Sequence, residues 1–242
     1  MQKTNRVQIS EIFTSIEGEG IFFGTKTLFV RVAGCHLKCL WCDTAYALPM
    51  KSGHDYTLDY VKNLISTYLQ PNTYKVNFTG GEPLLQYESI IELAKYIKEE
   101  KGLKTYIESS CFDSKRFQKV LPHIDICKIE FKMSDSKVIN ARHYGNLLRN
   151  EIQCLNLSID NHKTTYIKIV ITGSTNLDEF KNLLKSIFMH TKASNLAGFI
   201  IQPSYGVDEP TVERLFNFYD IVYPMYQDVR IIPQLHKAIG VR

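Results

Sequence analysis

The 242-residue chain lacks long hydrophobic runs, and no stretch approaches the roughly 18 consecutive apolar residues that cross a bilayer. Residues 1–6 lack the apolar segment of a signal peptide, so we expect a cytoplasmic protein with no membrane partner. Charge of one sign is also scarce: 29 Lys and Arg oppose 25 Asp and Glu, and a net charge of +4 does not indicate nucleic-acid binding. With 44% hydrophobic and 22% charged residues, the composition excludes a disordered, collagenous or coiled-coil chain.

Low-complexity segments, repeats of fixed period and linkers rich in Pro, Gly or Ser are also missing, and we expect a single domain over residues 1–242. Segments of helical periodicity at 58–69, 89–100 and 176–188 alternate with apolar, β-branched runs of strand length. These runs are 28–32, 74–78, 104–107, 126–131, 166–171, 199–201 and 229–232.

The alternation of strands and helices predicts βαβ units and a parallel sheet. About six or seven parallel strands are fewer than the eight of a closed barrel. The predicted fold class is therefore α/β, an open partial (β/α) barrel. In such folds ligands bind at the carboxyl ends of the strands, so the loops that follow the strands are the candidate site.

Six cysteines are present, and three of them, Cys35, Cys39 and Cys42, lie in the loop that follows the strand at 28–32. In a reducing compartment such a cluster indicates a metal site rather than disulfides. Three thiolates suit a [4Fe–4S] cluster with one iron left open for another ligand. Structural zinc, the alternative, requires four ligands that usually come as two pairs, and the sequence has no second cysteine pair. We expect the remaining cysteines, at positions 111, 127 and 154, to be buried bystanders.

A second motif, Thr79-Gly80-Gly81-Glu82-Pro83, follows the strand at 74–78. A Gly-Gly turn lets backbone groups approach a ligand closely, because no Cβ intervenes. Glu82 adds an acceptor, and Pro83 stiffens the exit of the turn. Together with the cysteine loop on an earlier strand, this motif predicts one ligand site at the sheet edge.

The two motifs together resemble the radical S-adenosylmethionine superfamily, and more narrowly the 7-carboxy-7-deazaguanine synthase family. The narrower resemblance includes Phe13-Thr-Ser-Ile-Glu-Gly-Glu-Gly20, Trp41-Cys-Asp-Thr44 and Pro233-Gln-Leu-His-Lys-Ala-Ile-Gly240. It implies a partial barrel of the radical S-adenosylmethionine type. It also implies a lyase that converts 6-carboxy-5,6,7,8-tetrahydropterin to 7-carboxy-7-deazaguanine with loss of ammonia, as in queuosine or archaeosine biosynthesis.

The same resemblance implies three cofactors: a [4Fe–4S] cluster on the three loop cysteines, S-adenosyl-L-methionine, and Mg²⁺ on Thr44. The implied partners are a small-molecule pterin, an electron donor such as flavodoxin or ferredoxin, and a second copy of the chain in a homodimer. The implied cofactor-binding residues are Gly80, Gly81, Glu82, Ser109, Ser110, Glu130, Phe131, Lys132, Gln202, Pro203, Ser204 and Tyr205.

For the pterin, the resemblance implies a second set of residues: Ile16, Glu17, Gly18, Glu19, Arg31, Thr79, His236 and Arg242. Relatives commonly carry Gln where this chain has Glu17, and an ionised carboxylate accepts hydrogen bonds but cannot donate them. Arg31 suits the substrate carboxylate because its fork is bidentate, and a structural ion pair is the alternative. A structural role for His236 and a solvated Lys132 are the alternatives at those two positions.

Two other functions share part of these signals. A glycyl-radical-enzyme activase has the same cysteine spacing, but it has no need for the Glu-Gly-Glu-Gly loop or the Gln-Leu-His-Lys segment. A non-catalytic metal-binding module would bind zinc or iron without cleaving a cofactor. Iron content would distinguish a zinc-binding module from both radical enzymes. Analysis of the reaction product would distinguish the two radical enzymes from each other.

Overall fold

A computed structural model describes residues 5–137 and 141–241, with the side chains of 141–143 excepted. A single sheet of nine strands forms its centre, in the spatial order β3-β1-β2-β4-β5-β6-β7-β8-β9. The strands are β1 (Arg6–Ile16), β2 (Lys26–Val32), β3 (His54–Thr57), β4 (Lys75–Gly80), β5 (Lys104–Ser109), β6 (Ile126–Phe131), β7 (Thr164–Ile171), β8 (Gly198–Pro203) and β9 (Val229–Ile231).

Seven strands of this sheet, β2 and β4 to β9, run parallel to one another. The sheet does not close, because β3 and β9 are its two edges among the described residues. The predicted open α/β barrel of six to seven parallel strands is therefore confirmed.

The first and third strands are an addition that the sequence analysis did not predict. Strand β1 pairs antiparallel with β2 and with β3, and its register with β2 shifts between Ile9 and Glu11. The shift moves the side chains that pack into the main apolar core from odd positions, Val7 and Ile9, to the even position Ile12. A bulge of this kind interrupts the strict alternation by which a strand is recognised in a sequence.

Helices connect the parallel strands, and the three predicted segments form α1, α2 and α5. The side chains of Thr57 and Asn176 cap α1 and α5, and Gly102 ends α2 in the left-handed conformation at φ +62°. The helices are α1 (Leu58–Tyr68), α2 (Tyr87–Lys101), α3 (Ser114–Val120), α4 (Ala141–Asp160), α5 (Leu177–His190), α6 (Val212–Val222) and α7 (Leu235–Ile239). In the described part of the chain, no helix combines the length and apolarity needed to cross a membrane.

The two faces of the sheet differ in polarity. On the helix-covered face, residues such as Phe78, Ile129 and Phe131 pack into one large apolar core. Strand residues alternate between faces, so the other face carries the intervening polar side chains, including Lys75 and Glu130, which are buried as well. This polar inner face leads to the carboxyl ends of the strands, where the candidate site lies.

Candidate active site

A cavity of about 630 Å³ opens at the carboxyl ends of the parallel strands. Its walls come from the loop after β1, the cysteine loop after β2, the ends of β4 to β8, and the segment around α7. Most of the predicted site residues meet here although they are distant in sequence. Those that line the cavity are Ile16, Glu17, Gly18, Glu19, Arg31, Cys35, Cys39, Cys42, Thr44, Thr79, Gly80, Gly81, Glu82, Ser109, Ser110, Glu130, Lys132, Gln202 and His236.

The cysteine loop contributes three half-buried thiols to one wall of the cavity. Backbone bonds hold the loop in place: the N–H of Cys35 donates to the carbonyl of Leu48 at 2.9 Å, and that of Cys42 to the carbonyl of Cys39 at 3.1 Å. Burial raises the pKa of Cys35 to about 11, and the nearby Glu82 and cysteines add to the shift. A thiolate in this position requires a cation beside it, which a metal cluster supplies. The donor set therefore fits an iron–sulfur cluster.

The Gly-Gly turn packs directly against the cysteine loop. The N–H of Gly81 donates to the carbonyl of Val32 at 3.0 Å, and the N–H of Glu82 donates to the carbonyl of Gly34 at 2.8 Å. A Cβ on Gly81 would lie 2.2 Å from the Gly34 oxygen and 3.1 Å from the Cβ of Cys35. Glycine is therefore required at position 81 for the two loops to share one site.

Glu82 links the end of β4 to the end of β5. Its buried carboxylate accepts bonds from the hydroxyls of Ser109 and Ser110 at 2.8 and 2.6 Å, and from the Ser110 and Leu84 N–H groups at 2.8 and 2.9 Å. The serine hydroxyls donate to Glu82, so toward a bound cofactor they present acceptor oxygens. Both serines line the cavity as the sequence predicts.

Three lysines surround Glu130 on the floor of the cavity. Its carboxylate pairs with Lys132, and lies 3.1 Å from Lys128 and 3.1 Å from Lys168. Burial opposes the negative charge, but the lysines outweigh burial and hold the pKa of Glu130 well below its usual range. Lys132 is buried and ion-paired, so the alternative of a solvated lysine is wrong.

Three further charged residues line the cavity and were not predicted from the sequence: Lys128, Lys168 and Glu108. Lys128 lies 3.5 Å from Glu108, whose other oxygen accepts a bond from the Thr79 hydroxyl at 3.0 Å. A signal was present in β6 and the residue after it, where charged residues at positions 128, 130 and 132 alternate with apolar ones. This period of two, inside a strand that is buried along its whole length, marks a polar cavity face.

Glu19 connects the loop after β1 to β7 and to the α7 segment. It pairs with Lys168 at 2.7 Å and accepts bonds from Gln234 at 2.7 Å and Gln202 at 3.3 Å. Burial opposes ionisation, but Lys168 and the other donors lower the pKa of Glu19 to about 2. The Gln202 Oε1 atom is buried and has no partner among the described residues, which leaves an acceptor at the cavity wall.

The α7 segment closes over the loop that contains Gly18. The Leu235 N–H donates to the carbonyl of Gly18 at 2.9 Å, and His236 lies against Gly18 so closely that a Cβ there would be 2.3 Å from the imidazole. His236 Nε2 lies 3.3 Å from the carboxylate of Asp43. Residues near the two ends of the chain therefore meet at one wall of the site.

Glu17 is almost fully buried and pairs with Lys75 at 2.7 Å. Burial raises the pKa of Glu17 to about 7, while Lys75 opposes this shift. Glu17 stands where relatives commonly have glutamine, and its pairing with Lys75 was not predicted from the sequence.

Arg31 lies in the cavity wall and is paired within the protein. Its Nε donates to Glu11 at 2.8 Å, and the Tyr46 hydroxyl donates to the same carboxylate at 2.5 Å. The structural ion pair considered for Arg31 is therefore present. A substrate carboxylate would have to approach the other nitrogens of the guanidinium, which presents five N–H donors in all. The Thr44 hydroxyl lies 3.7 Å from the Cys42 sulfur, also in the wall.

Some predicted residues lie away from the cavity. The Phe131 side chain packs in the apolar core on the opposite face of the sheet, so it cannot contact a cofactor in the cavity. Pro203, Ser204 and Tyr205 do not line the cavity: the Ser204 hydroxyl donates to the carbonyl of Asp208 at 3.0 Å, and Tyr205 is 58% exposed. Arg242 lies outside the described residues.

Comparisons with known proteins agree with this fold and site. A family described as a 4Fe-4S single cluster domain matches residues 16–144. The fold resembles that of QueE from Escherichia coli, with a TM-score of 0.65 and 17% identity over 96% of this chain and 95% of that one. It also resembles methylornithine synthase (PylB), with a TM-score of 0.58 and 14% identity over 85% of this chain and 63% of that one. Fold and site together define a radical S-adenosylmethionine enzyme with a [4Fe–4S] cluster.

Two curated relatives narrow this class. The chain is 31% identical to 7-carboxy-7-deazaguanine synthase of Methanocaldococcus jannaschii, over 96% of this chain and 99% of the relative. It is 32% identical to the enzyme of the same name from Archaeoglobus fulgidus, over 98% of this chain and 100% of the relative. The chain belongs to the 7-carboxy-7-deazaguanine synthase family.

Proposed function

We propose that this protein converts 6-carboxy-5,6,7,8-tetrahydropterin to 7-carboxy-7-deazaguanine, with release of ammonia. One observation carries the proposal: the cavity joins the cysteine loop and the Gly-Gly turn to the loop at 16–19 and the segment around His236. The first pair of elements is common to radical S-adenosylmethionine enzymes, whereas the second pair distinguishes this family. Because both pairs of elements line one cavity, we expect the substrate to bind directly beside the cofactor.

The residues present suit the family's cofactors. Cys35, Cys39 and Cys42 would hold the [4Fe–4S] cluster, and the edge formed by Gly80, Gly81 and Glu82 would hold S-adenosylmethionine. When bound, the reduced cluster and S-adenosylmethionine together supply the organic radical that initiates the ring contraction. Thr44 would contribute an oxygen to Mg²⁺, an ion that retains several waters and needs few protein ligands.

The remaining cavity residues would bind and orient the pterin. Arg31 would attract its carboxylate, and the acceptors Glu17 and Glu19 would take hydrogen bonds from ring N–H groups. The Thr79 hydroxyl donates to Glu108, and the buried lysines on the floor of the cavity balance the acidic side chains there. A fixed polar environment of this kind orients the substrate without reorganising during the reaction.

We also propose a cytoplasmic protein in which residues 1–242 form one domain, acting as a homodimer with flavodoxin or ferredoxin as electron donor. One continuous sheet contributes residues to the cavity along most of its width, which supports a single functional unit. Cluster assembly requires free thiols, and all six cysteines are unpaired, which fits a reducing compartment.

The test is anaerobic reconstitution with iron and sulfide, followed by incubation with the carboxy-tetrahydropterin, S-adenosylmethionine, Mg²⁺ and a reductant. We expect brown protein with about four irons per chain, and a product with the absorbance and mass of the deazapurine. Cofactor cleavage without that product would show that the substrate assignment is wrong. Colourless protein that retains zinc would overturn the radical chemistry itself.

A further inference from the structure

The ion pair between Lys75 and Glu17 lies at the cavity wall formed by the loop after β1. Lys75 Nζ is 2.7 Å from Glu17 Oε2, and the lysine and glutamate side chains are 0% and 4% exposed. Asn77 Nδ2 also donates to Glu17 Oε2, at 3.5 Å. The hydrogen bonds that the Glu17 carboxylate accepts from the described residues therefore reach one oxygen, Oε2, while the side chain lines the cavity.

Lys75 does not line the cavity, so a ligand there touches Glu17 and not its partner. The Lys75 ammonium also donates to the Thr27 hydroxyl at 2.7 Å and to the Thr25 hydroxyl at 3.3 Å, which uses all three of its N–H groups. The rings of Phe22 and Tyr106 lie 5.4 and 5.3 Å from the ammonium. The lysine is therefore fixed from several sides.

A buried pair of this kind is not explained by stability alone. Taking both charges out of water costs free energy that their attraction repays only in part, and an apolar pair of similar volume is often as stable. Removing one partner, by contrast, leaves an uncompensated buried charge. A role in the site for the acceptor oxygen at position 17 would explain why the pair is present.

We propose that Lys75 is a positioning residue for substrate binding: it holds the Glu17 carboxylate in place as an acceptor for the N–H donors of the substrate's pyrimidine ring. This inference rests on the proposed function, because the pterin supplies that ring. A 2-amino group and the neighbouring ring N–H are both donors, and the Glu17 oxygen that Lys75 leaves open, Oε1, is the acceptor that meets them. Lys75 balances the charge that the glutamate brings into the site.

The experiment is a double-mutant cycle in the reconstituted holoenzyme, with Lys75→Met, Glu17→Gln and the double variant Glu17→Gln/Lys75→Met. We expect Lys75→Met and Glu17→Gln each to raise the KM for the carboxy-tetrahydropterin at least about tenfold, because each leaves one buried charge without its partner. We expect kcat to change by less than about threefold. The double variant should recover most of the loss, since a neutral amide needs no counter-charge.

A calorimetric dissociation constant for the pterin, measured without turnover, gives a second readout that should follow KM. Lys104→Met is the matched control, because Lys104 is the exposed neighbour of Lys75 in the register of β4 and β5. We expect it to leave the KM and the dissociation constant unchanged. If Lys75→Met does not fold, the comparison of Glu17→Gln with the double variant still tests whether removing the unpaired ammonium restores pterin binding.

The inference is overturned if Lys75→Met binds the pterin as tightly as the wild type, or if the double variant is no better than the single variants. Wild-type enzyme that makes the deazapurine in either case leaves the proposed function intact. Wild-type enzyme that neither binds nor converts the pterin overturns both. Equal losses in iron content and in pterin binding for Lys75→Met would assign the pair a structural role instead.

Discussion

The six cysteines are chemically alike, and their surroundings divide them. Cys35, Cys39 and Cys42 lie half-buried on one wall of the cavity, whereas Cys111, Cys127 and Cys154 are buried among apolar side chains. Burial in that core raises the pKa of the Cys127 thiol, which packs among apolar side chains and does not line the cavity. Position in the fold thus decides which thiols face the cavity.

Replacing one cysteine of each group should give opposite results. Cys39→Ala should abolish cluster assembly and cofactor cleavage and change the free energy of unfolding of the cluster-free protein by less than about 1 kcal/mol, because a loop side chain is lost. Cys127→Ala should keep the full iron content and lose about 1 to 2 kcal/mol of stability, because a buried group is removed. Iron analysis and urea unfolding measure both effects. Global unfolding of Cys39→Ala would contradict the placement of the cluster on a loop.

At the same scale, the acidic residue at position 17 shows what one residue's neighbours can decide. Glu17 replaces the family's glutamine, and the sequence does not show which residue balances its charge, because Lys75 is 58 positions away. Arg31 is similar, because its partner Glu11 lies on the neighbouring strand β1 rather than near it in sequence. Both pairs depend on which strands are adjacent in the sheet.

At the scale of elements, the site depends on how closely two loops approach. The turn after β4 extends the ladder between β2 and β4, so its backbone lies against the cysteine loop. Gly80 takes a φ of +139°, and a Cβ there would lie 2.2 Å from the Val32 carbonyl oxygen. The sequence predicted close approach to a ligand, and the structure shows that the glycines are also needed for loop-to-loop contact.

Gly81→Ala should therefore separate the two loops. We expect a loss of about 1 to 3 kcal/mol in the free energy of unfolding, as for other forced contacts, together with at least tenfold weaker binding of S-adenosylmethionine. Gly145→Ala is the control, because a Cβ at this exposed position of α4 meets nothing within 4 Å. It should stabilise the protein by about 0.5 to 1 kcal/mol. Urea unfolding and equilibrium binding distinguish the two variants, and equal stability would refute the close contact.

At the scale of the whole molecule, ion pairs across the cavity tie distant parts of the chain together. Glu19 pairs with Lys168, 149 positions away, and accepts a bond from Gln234, 215 positions away. Lys168 also pairs with Glu130 on the neighbouring strand. Removal of a charge from this network should therefore lower the free energy of unfolding of the whole protein.

Acid should weaken the fold through Glu19. Its pKa is lowered from 4.5 to about 2 in the folded protein, so the folded state binds fewer protons than the unfolded state between these values. The contribution of Glu19 is complete above pH 4.5 and is lost as the pH falls toward 2, and it amounts to at most about 3 kcal/mol. Urea unfolding of the cluster-free protein at several pH values measures this slope.

Lys168→Met should flatten the acid slope, because it removes the main positive charge that lowers the pKa of Glu19. Lys181→Met is the matched control, since the pair of Lys181 with Asp178 is exposed and lies outside the cavity. It should retain the wild-type slope. An unchanged slope in Lys168→Met would show that Glu19 does not couple folding to pH.

The sequence by itself determined the features that depend on local spacing. The grouping of three cysteines in one loop, the Gly-Gly turn at the cavity, the helical segments α1, α2 and α5, and the parallel strands were predicted correctly, because each is specified by residues within a few positions of one another. Strand β1 was missed, since a bulge breaks its local pattern.

Only the tertiary structure decided which side chains face the cavity and how its charges are balanced. It placed Phe131 in the core, made Ser109 and Ser110 donors to Glu82, and brought Lys75 to Glu17. Buried charges are tolerated only beside partners, and in a parallel sheet those partners lie on neighbouring strands that a whole helix separates in sequence. The chemistry of the site is therefore visible in the sequence, whereas its electrostatic balance is set by the fold.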